Sequence, residues 1–227
     1  MLEPDRLTVV TTADGSKTIY HPIIKENYHS RNGALQESNH VFLNSGLRYY
    51  LADKQHTEVA VLEIGFGTGL NFLLTADFCK GKEIQLQYVG IEAYPLNLGL
   101  IEETAYQEIV SANTWGMFTK LYDEALQKSV TLNEFCQLHI APTTLENFSS
   151  PQLFDVIYFD AFASSNQPEM WTKEAITKTI SFLKPGGVFV TYAITGDLKR
   201  IMKSLNMKIE KAPGAAGKRE MLRAVKG

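Results

Sequence analysis

Cysteine is scarce in this chain. Cys79 and Cys136 are the only two in 227 residues, far apart and without a C-x-x-C pair or a Cys/His cluster. That excludes a disulfide-stapled scaffold and a zinc ribbon, and it fits two buried free thiols in a reducing cytosol. The five histidines (His21, His29, His40, His56, His139) show no ligand spacing, so no metal is expected. Long apolar runs are missing as well. No stretch approaches the roughly 18 residues of a membrane span, and the opening MLEPDRLTVV has no basic segment leading into an apolar core. The expectation is a cytoplasmic protein with no membrane partner. Internal repeats, low-complexity tracts and Pro/Gly linkers are also lacking. The length then allows one domain with a substantial core and an appendage.

A strong excess of charge of one sign is absent too, since the formal net charge is −3. The distribution is uneven, however. From Leu198 onward there are nine Lys/Arg (Lys199, Arg200, Lys203, Lys208, Lys211, Lys218, Arg219, Arg223, Lys226) against two acids, Glu210 and Glu220. Such asymmetry marks either a surface for a polyanion or a solvated basic helix and tail.

Residues 1–53 mix short strand-like pieces (Leu7–Thr12, Thr18–Tyr20) with a polar stretch, Lys25–Asn39, and read as an N-terminal extension or lid. Residues 54–227 read as one α/β domain. Val59–Ile64 (VAVLEI) is a short apolar strand that stops at glycines. Gly69–Lys80 has helical periodicity through Leu70, Leu73, Leu74 and Phe78, with Gly81 suited to close it. Further strands are expected at Leu86–Glu92, Glu134–Ile140, Val156–Asp160 and Val188–Tyr192, and Lys208–Lys211 with Met221–Val225 can pair as a final hairpin. Helices are expected after Pro95 through Gln107, over Trp115–Ser129, from Pro168 to Leu183 (ended by the turn Lys184-Pro-Gly-Gly), and over Gly196–Leu205. Seven strands alternating with helices argue for a Rossmann-like, mostly parallel sheet covered on both faces and closed by an antiparallel hairpin. Ligands of such sheets sit beyond the carboxyl ends of the strands, at the crossover reversal.

Two segments carry the chemistry. Glu63-Ile-Gly65-Phe-Gly67-Thr-Gly69 follows the first of these strands and opens a helix. Glycines there let the backbone turn tightly and approach a ligand. The spacing G-x-G-x-G differs from the G-x-G-x-x-G of dinucleotide binding. Glu63 before the loop suits a ligand with a cationic amino-acid portion rather than a pyrophosphate. Glu92 closes the next strand, where an acid can accept both ribose hydroxyls. Loop and acids together point to S-adenosylmethionine over NAD. The second segment, FDVIYFDAFASSNQPEMW (Phe154–Trp171), delivers a carboxylate at Asp160 from an apolar strand into a loop with aromatics. A lone Asp at such a place is ordinarily a helix cap, and Phe162 and Trp171 have a plain reading as core.

Several segments go further. EIGFGTGLNFLL (Glu63–Leu74), DAFASSNQPEMW (Asp160–Trp171), Thr191–Tyr192, GAAGKREM (Gly214–Met221) and ESNHVFL (from Glu37) resemble motifs of the tRNA 5-methylaminomethyl-2-thiouridine methyltransferases, the MnmD type, stand-alone relatives of the N-terminal half of the bifunctional MnmC enzymes. Ser164 stands where that family usually has Pro. No acid of the kind that often holds the adenine amine occurs in His139–Thr144.

The resemblance implies a class I fold and methyl transfer from S-adenosylmethionine to the 5-aminomethyl group of the wobble uridine, with the tRNA anticodon stem-loop as partner. It implies no metal, and no FAD because the chain ends just after KREM. Asp160 would then be the catalytic carboxylate, orienting the amine and handling its proton. Tyr28, Glu63, Gly65, Gly67, Gly69, Asn71 and Glu92 would bind the cofactor, with Tyr28 and Glu37 covering it. Phe162 would wall or stack on the base, and Lys218 and Arg219 would hold phosphates, with Arg200 and Lys203 further out. On the residues alone, two other readings stay open: a methyltransferase for a small-molecule amine, and a non-catalytic nucleotide- or RNA-binding module.

Overall fold

The computed structural model describes residues 7–52, 55–215, 217 and 219–227. Its centre is an eight-stranded sheet. The chain first forms a small antiparallel sheet from β1 (Thr8–Thr11), β2 (Lys17–His21) and β3 (Glu26–Asn27). The central sheet follows with β4 (Glu58–Ile64), β5 (Gln85–Ile91), β6 (Val130–Asn133), β7 (Cys136–Ala141), β8 (Phe154–Phe159), β9 (Leu183–Thr191), β10 (Met207–Pro213) and β11 (Glu220–Lys226). Their order across the sheet is β10-β11-β9-β8-β4-β5-β7-β6. Strands β4, β5, β7, β8 and β9 are parallel, and both edges end in antiparallel pairs.

Six of seven residues in β4 and all six in β8 are buried. That is the near-continuous apolar run expected of strands covered on both faces. One core layer lies under α2 (Leu70–Gly81) and α4 (Ala112–Ala125). The other lies under α5 (Lys173–Ser181) and α6 (Gly196–Ser204). Ser111, Thr172 and Thr195 cap α4, α5 and α6, each side chain accepting a bond from the third backbone N–H onward. Asp155 is the one acid inside β8. Its carboxylate accepts from Ala60 N at 2.8 Å, Tyr50 OH at 2.8 Å and Lys184 Nζ at 2.9 Å, so its charge is compensated.

Most of the expected alternation is present, and the differences have physical reasons. The sheet has eight strands rather than seven because Val130–Asn133 turns back as an edge strand. Val130 and Leu132 point inward, Thr131 points outward, and Asn133 Oδ1 takes Phe135 N at 2.8 Å to make the turn. The helix expected from Pro95 to Gln107 is only α3 (Leu98–Glu102). Ala105 then takes a left-handed φ of 60°, and a single tight turn, Tyr106–Glu108, follows. Lys184-Pro-Gly-Gly lies inside β9 rather than before it, as a register shift in the β8–β9 ladder with Gly186 at φ 76°. Gly81 is the last residue of α2, and the left-handed residue that ends the helix is Glu83. Cys79 and Cys136 are buried free thiols, as expected.

Residues 7–52 share the core of the rest. A short helix α1 (Ala34–Glu37) runs into a widened, π-helical segment, Ser38–Arg48, that buries Val41, Phe42 and Leu47 against the central sheet. Gly46 makes that approach possible. A β-carbon there would stand 2.9 Å from Val190 Cγ2 and 3.0 Å from the Tyr158 ring, both side chains being fully buried. Gly46→Val should therefore lower stability by about 1–3 kcal/mol through overpacking. Urea denaturation at pH 7 checks this, and an unchanged midpoint would mean that the segment docks less closely than described.

Candidate active site

The parallel strand β4 has β5 on one side and β8 on the other, so the crossover direction reverses there and a crevice opens beyond their carboxyl ends. Asp160 N donates to Ile64 O at 2.9 Å, which ties the end of β8 to the end of β4. A cavity of about 750 Å³ lies above this junction, within the range of small-molecule sites. Tyr28, Gly65, Gly67, Glu92, Asp160 and Phe162 all line it. Gly69 instead caps α2 with a φ of 78°, and Glu63 and Asn71 lie beneath the loop; none of these three is a lining residue.

The loop has the shape its glycines allow. Gly65 and Gly67 take φ values of 87° and 52°, and a β-carbon on Gly65 would meet Asp160 O at 2.6 Å. Gly65 N and Phe66 N both donate to Ile91 O, and Gly67 N donates to Glu92 Oε2 at 3.0 Å. Glu92 Oε1 accepts from Tyr94 N at 3.0 Å. Both oxygens therefore hold backbone N–H groups and keep lone-pair capacity toward the cavity. Burial pushes the Glu92 carboxyl up, against those backbone bonds.

Beneath the loop, two carboxylates share one amide. Asn71 Nδ2 donates to Glu63 Oε1 at 2.8 Å and to Asp160 Oδ2 at 2.8 Å, while Tyr88 OH donates to Glu63 Oε2 at 2.8 Å. Glu63 has no solvent exposure. Burial first, and then the charge of Asp160, push its carboxyl well above the usual range. Asp160 is the member of this pair that lines the cavity.

Aromatic rings close the other side. Phe162 meets Tyr28 edge-on at 5.2 Å and His21 at 6.1 Å. Tyr28 lies over Gly67, where a β-carbon would touch its ring at 2.8 Å. Burial, then the nearby Glu92, raise the Tyr28 phenol, so it stays neutral. Trp171 Nε1 donates to Phe162 O at 2.8 Å, and its ring packs edge-on against Phe159 at 5.1 Å. Trp171 thus fixes the wall from behind. Tyr192 OH, likewise held neutral by burial, donates to Ala161 O at 2.9 Å.

Residues that the sequence did not single out complete the site. Glu26 of β3 accepts from Ala163 N at 3.0 Å and Asn166 Nδ2 at 2.7 Å, fastening the loop after Asp160 to the N-terminal sheet. Nothing in the spacing links position 26 to position 163. Tyr94, two residues past Glu92, is 82% exposed at the mouth. Thr143 and Thr144, just past β7, line it as well. Glu37, which the sequence did single out, also lines the cavity and accepts from Ser30 N at 2.8 Å. Arg219 is exposed in the β10–β11 turn, away from the cavity lining, and Lys218 lies outside the described residues.

A glycine loop and an acid on adjacent parallel strands, opening with a second carboxylate onto one crevice, define a nucleotide-cofactor-binding α/β enzyme of the class I methyltransferase type. The model of a family of S-adenosyl-L-methionine-dependent methyltransferases matches residues 112–227, just over half of the sequence, and the chain belongs to that family. Among curated relatives, the tRNA 5-methylaminomethyl-2-thiouridine biosynthesis bifunctional protein MnmC of Magnetococcus marinus is 29% identical over 234 residues, covering 96% of this chain and 34% of that protein. Its counterpart from Pseudomonas fluorescens (strain Pf-5) is 30% identical over 224 residues, covering 88% and 32%. The chain thus spans about a third of the length of these relatives. The crystal structure of MNMC2 from Aquifex aeolicus shares the fold, with a TM-score of 0.77 at 22% identity over 98% of this chain and 71% of that one.

His29 at the cavity edge gives a pH test of the N-terminal packing. It is buried, donates N–H to Thr18 Oγ1 at 3.1 Å, and burial pushes its imidazole down to about 4. The unfolded chain takes up a proton near pH 6.5 and the folded chain only near 4, so stability is present above 6.5 and falls as pH drops. Between pH 7 and 5 the loss should be about 2 kcal/mol. The difference in urea unfolding between wild type and His29→Gln isolates it; equal pH slopes in the two proteins would contradict a buried neutral imidazole.

Proposed function

We propose that this protein N-methylates the 5-aminomethyl group of the wobble uridine of tRNA, giving 5-methylaminomethyl-(2-thio)uridine. The observation that carries the reading is Asp160: a carboxylate at the end of β8, lining the cavity beside the glycine loop, with one oxygen held by Asn71. The similarity of nearly the whole chain to the MnmC proteins gives that carboxylate its substrate.

The residues fit S-adenosyl-L-methionine. Gly65 and Gly67 keep backbone rather than side chains at the cavity floor, and Glu92 has lone pairs left for a pair of hydroxyls. Ile64, Phe66, Ile91 and Leu145 offer apolar walls for a flat ring, with the Thr143 and Thr144 hydroxyls beside them. We assign Tyr28, Gly65, Gly67 and Glu92 to direct contact, and Glu63, Gly69 and Asn71 to shaping the loop from beneath. Residues 1–53 act as a lid, with Tyr28 its innermost side chain. The bound cofactor supplies a methyl already activated by its sulfonium, so the carbon needs no metal to become electrophilic.

What remains is the acceptor. An alkylamine with a pKa of about 10 is protonated near neutral pH and has no lone pair to offer. Asp160 accepts a hydrogen bond from the amine nitrogen, turns it toward the donor and receives or relays the proton that must leave. Asn71 donates to Asp160 and fixes its rotamer, and an N–H donated to a carboxylate favours the charged form. Glu63 holds the other half of the same amide. Phe162, with Tyr28 and His21 behind it, presents a ring against a splayed-out base. The anticodon stem-loop is the RNA element that presents the wobble base, and Arg219 in its exposed turn stands ready for a phosphate. A tRNA substrate puts the reaction in the cytoplasm. Among the described residues no helix is long and apolar enough to cross a membrane.

Incubation with labelled S-adenosyl-L-methionine and tRNA from cells lacking this modification, followed by nucleoside analysis, tests the proposal. Label should appear in 5-methylaminomethyl-type uridine. Cofactor binding without any labelled tRNA nucleoside would refute it and turn attention to a small-molecule amine. Asp160→Asn should lower kcat by about a hundredfold or more, leaving the KM for the cofactor within about threefold. Asn71→Leu should lower kcat by about ten- to a hundredfold through misplacement of Asp160. It should also move the acidic limb of the pH–rate profile upward, and Asn71→Gln should not reproduce the wild-type rate. An unshifted profile in Asn71→Leu would show that the amide serves packing alone.

A further inference from the structure

A second concavity lies between α6 and β10, lined by Gly196, Lys199, Arg200, Lys203, Ile209 and Lys211. Four of its six lining residues are cationic, on a chain whose formal net charge is −3. The local structure explains how they converge. α6 buries Leu198 and Met202 against the sheet, which places Lys199 and Lys203, four residues apart, together on the adjoining stripe. Lys211 reaches the same groove from β10. The nearby acids compensate only in part. Asp197 contacts Arg200, and Glu220 Oε2 is 3.8 Å from Lys211 Nζ.

The groove is also placed relative to the cavity. Lys211 stands opposite Leu222 of β11, and Leu222 stands opposite Thr191 of β9. Lys211 is therefore level with the end of β9, next to Tyr192, which lines the candidate active site. In the sheet order, β10 is three strands from β8, roughly 14 Å at ordinary strand spacing. Helix α5, whose Thr172, Glu174, Ala175 and Lys178 line the active-site cavity, packs beside α6. The groove and the cavity thus open at the same end of the sheet and on neighbouring elements.

We propose that this α6/β10 groove binds the sugar-phosphate backbone of the substrate RNA, outside the nucleotide that is modified. The proposal rests on the tRNA reading above and gives that substrate a second, sequence-independent contact. Four cations suit phosphates, which position an RNA without reading it. A small-molecule amine, itself cationic, would be repelled by the same groove. Affinity for tRNA therefore depends on Lys199, Lys203 and Lys211, while cofactor binding and chemistry do not.

The test uses the full chain and unmodified tRNA. In the triple variant Lys199→Ala/Lys203→Ala/Lys211→Ala, the KM for tRNA should rise about tenfold or more near 0.1 M salt, and the slope of log Kd against log salt should fall by about 2. The Kd for S-adenosyl-L-methionine, kcat at saturating tRNA and the urea midpoint should match wild type. The control triple Lys82→Ala/Lys120→Ala/Lys128→Ala removes the same charge from exposed positions on and beside α2 and α4, on the opposite face of the sheet. An unchanged salt slope in the first variant would overturn the proposal, as would an equal fall in the control, which would mark diffuse attraction rather than a groove. If wild-type protein labels no tRNA nucleoside, the functional reading fails first; if it does and the first variant binds tRNA normally, only the groove proposal fails.

Discussion

One amide group organises this site. Asn71 offers two N–H bonds, one to the fully buried Glu63 and one to Asp160 at the cavity. Bringing two carboxylates to one place is unfavourable in a low dielectric, and a shared donor is what makes the arrangement tolerable. Glu63 is the inner member, raised by burial and braced by Tyr88. Asp160 is the outer one. The first turn of α2 thus connects the carboxyl end of β4 with that of β8, and the reversal of the sheet becomes a place where a charge can face a ligand.

The rest of the architecture serves that junction. The left-handed glycines of the loop exist because side chains there would collide with Asp160 O and with the Tyr28 ring. The N-terminal segment sits on the cavity rather than apart from it. Its helix reaches the central sheet through Gly46, and its last strand holds Glu26 under the loop that carries Phe162. An assembly in which the covering element and the loop after Asp160 are bonded to each other holds one wall of the cavity to the other.

Much of the fold was legible because burial on both faces leaves a plain record. VAVLEI and VIYF are apolar throughout, and the glycine loop stands where the first becomes a helix. Edge elements were harder. Val130–Asn133 is short and half polar, so it goes unassigned between the helix expected over Trp115–Ser129 and the strand expected from Glu134 until Leu138 is found opposite Val130. Asp160 and Glu92 were identifiable as cavity-lining from their place at strand ends, and Gly67 from the glycine spacing. Glu63 was misleading, because an acid before a glycine loop reads the same whether it faces the ligand or supports the loop from behind. Only the donors Asn71 and Tyr88 decide between these. Glu26 left no trace, since its partners are 137 and 140 residues away and one acid in a polar stretch resembles any other.

The two thiols carry a further implication. Cys79 and Cys136 are both fully or almost fully shielded, and burial raises each to about 12. The thiolate is the nucleophilic form of cysteine, so at neutral pH almost none is present. A protein that stores an alkylating agent runs a standing risk of modifying itself. Here both thiols are kept protonated and out of reach, so the chain's own cysteines do not compete for the methyl group.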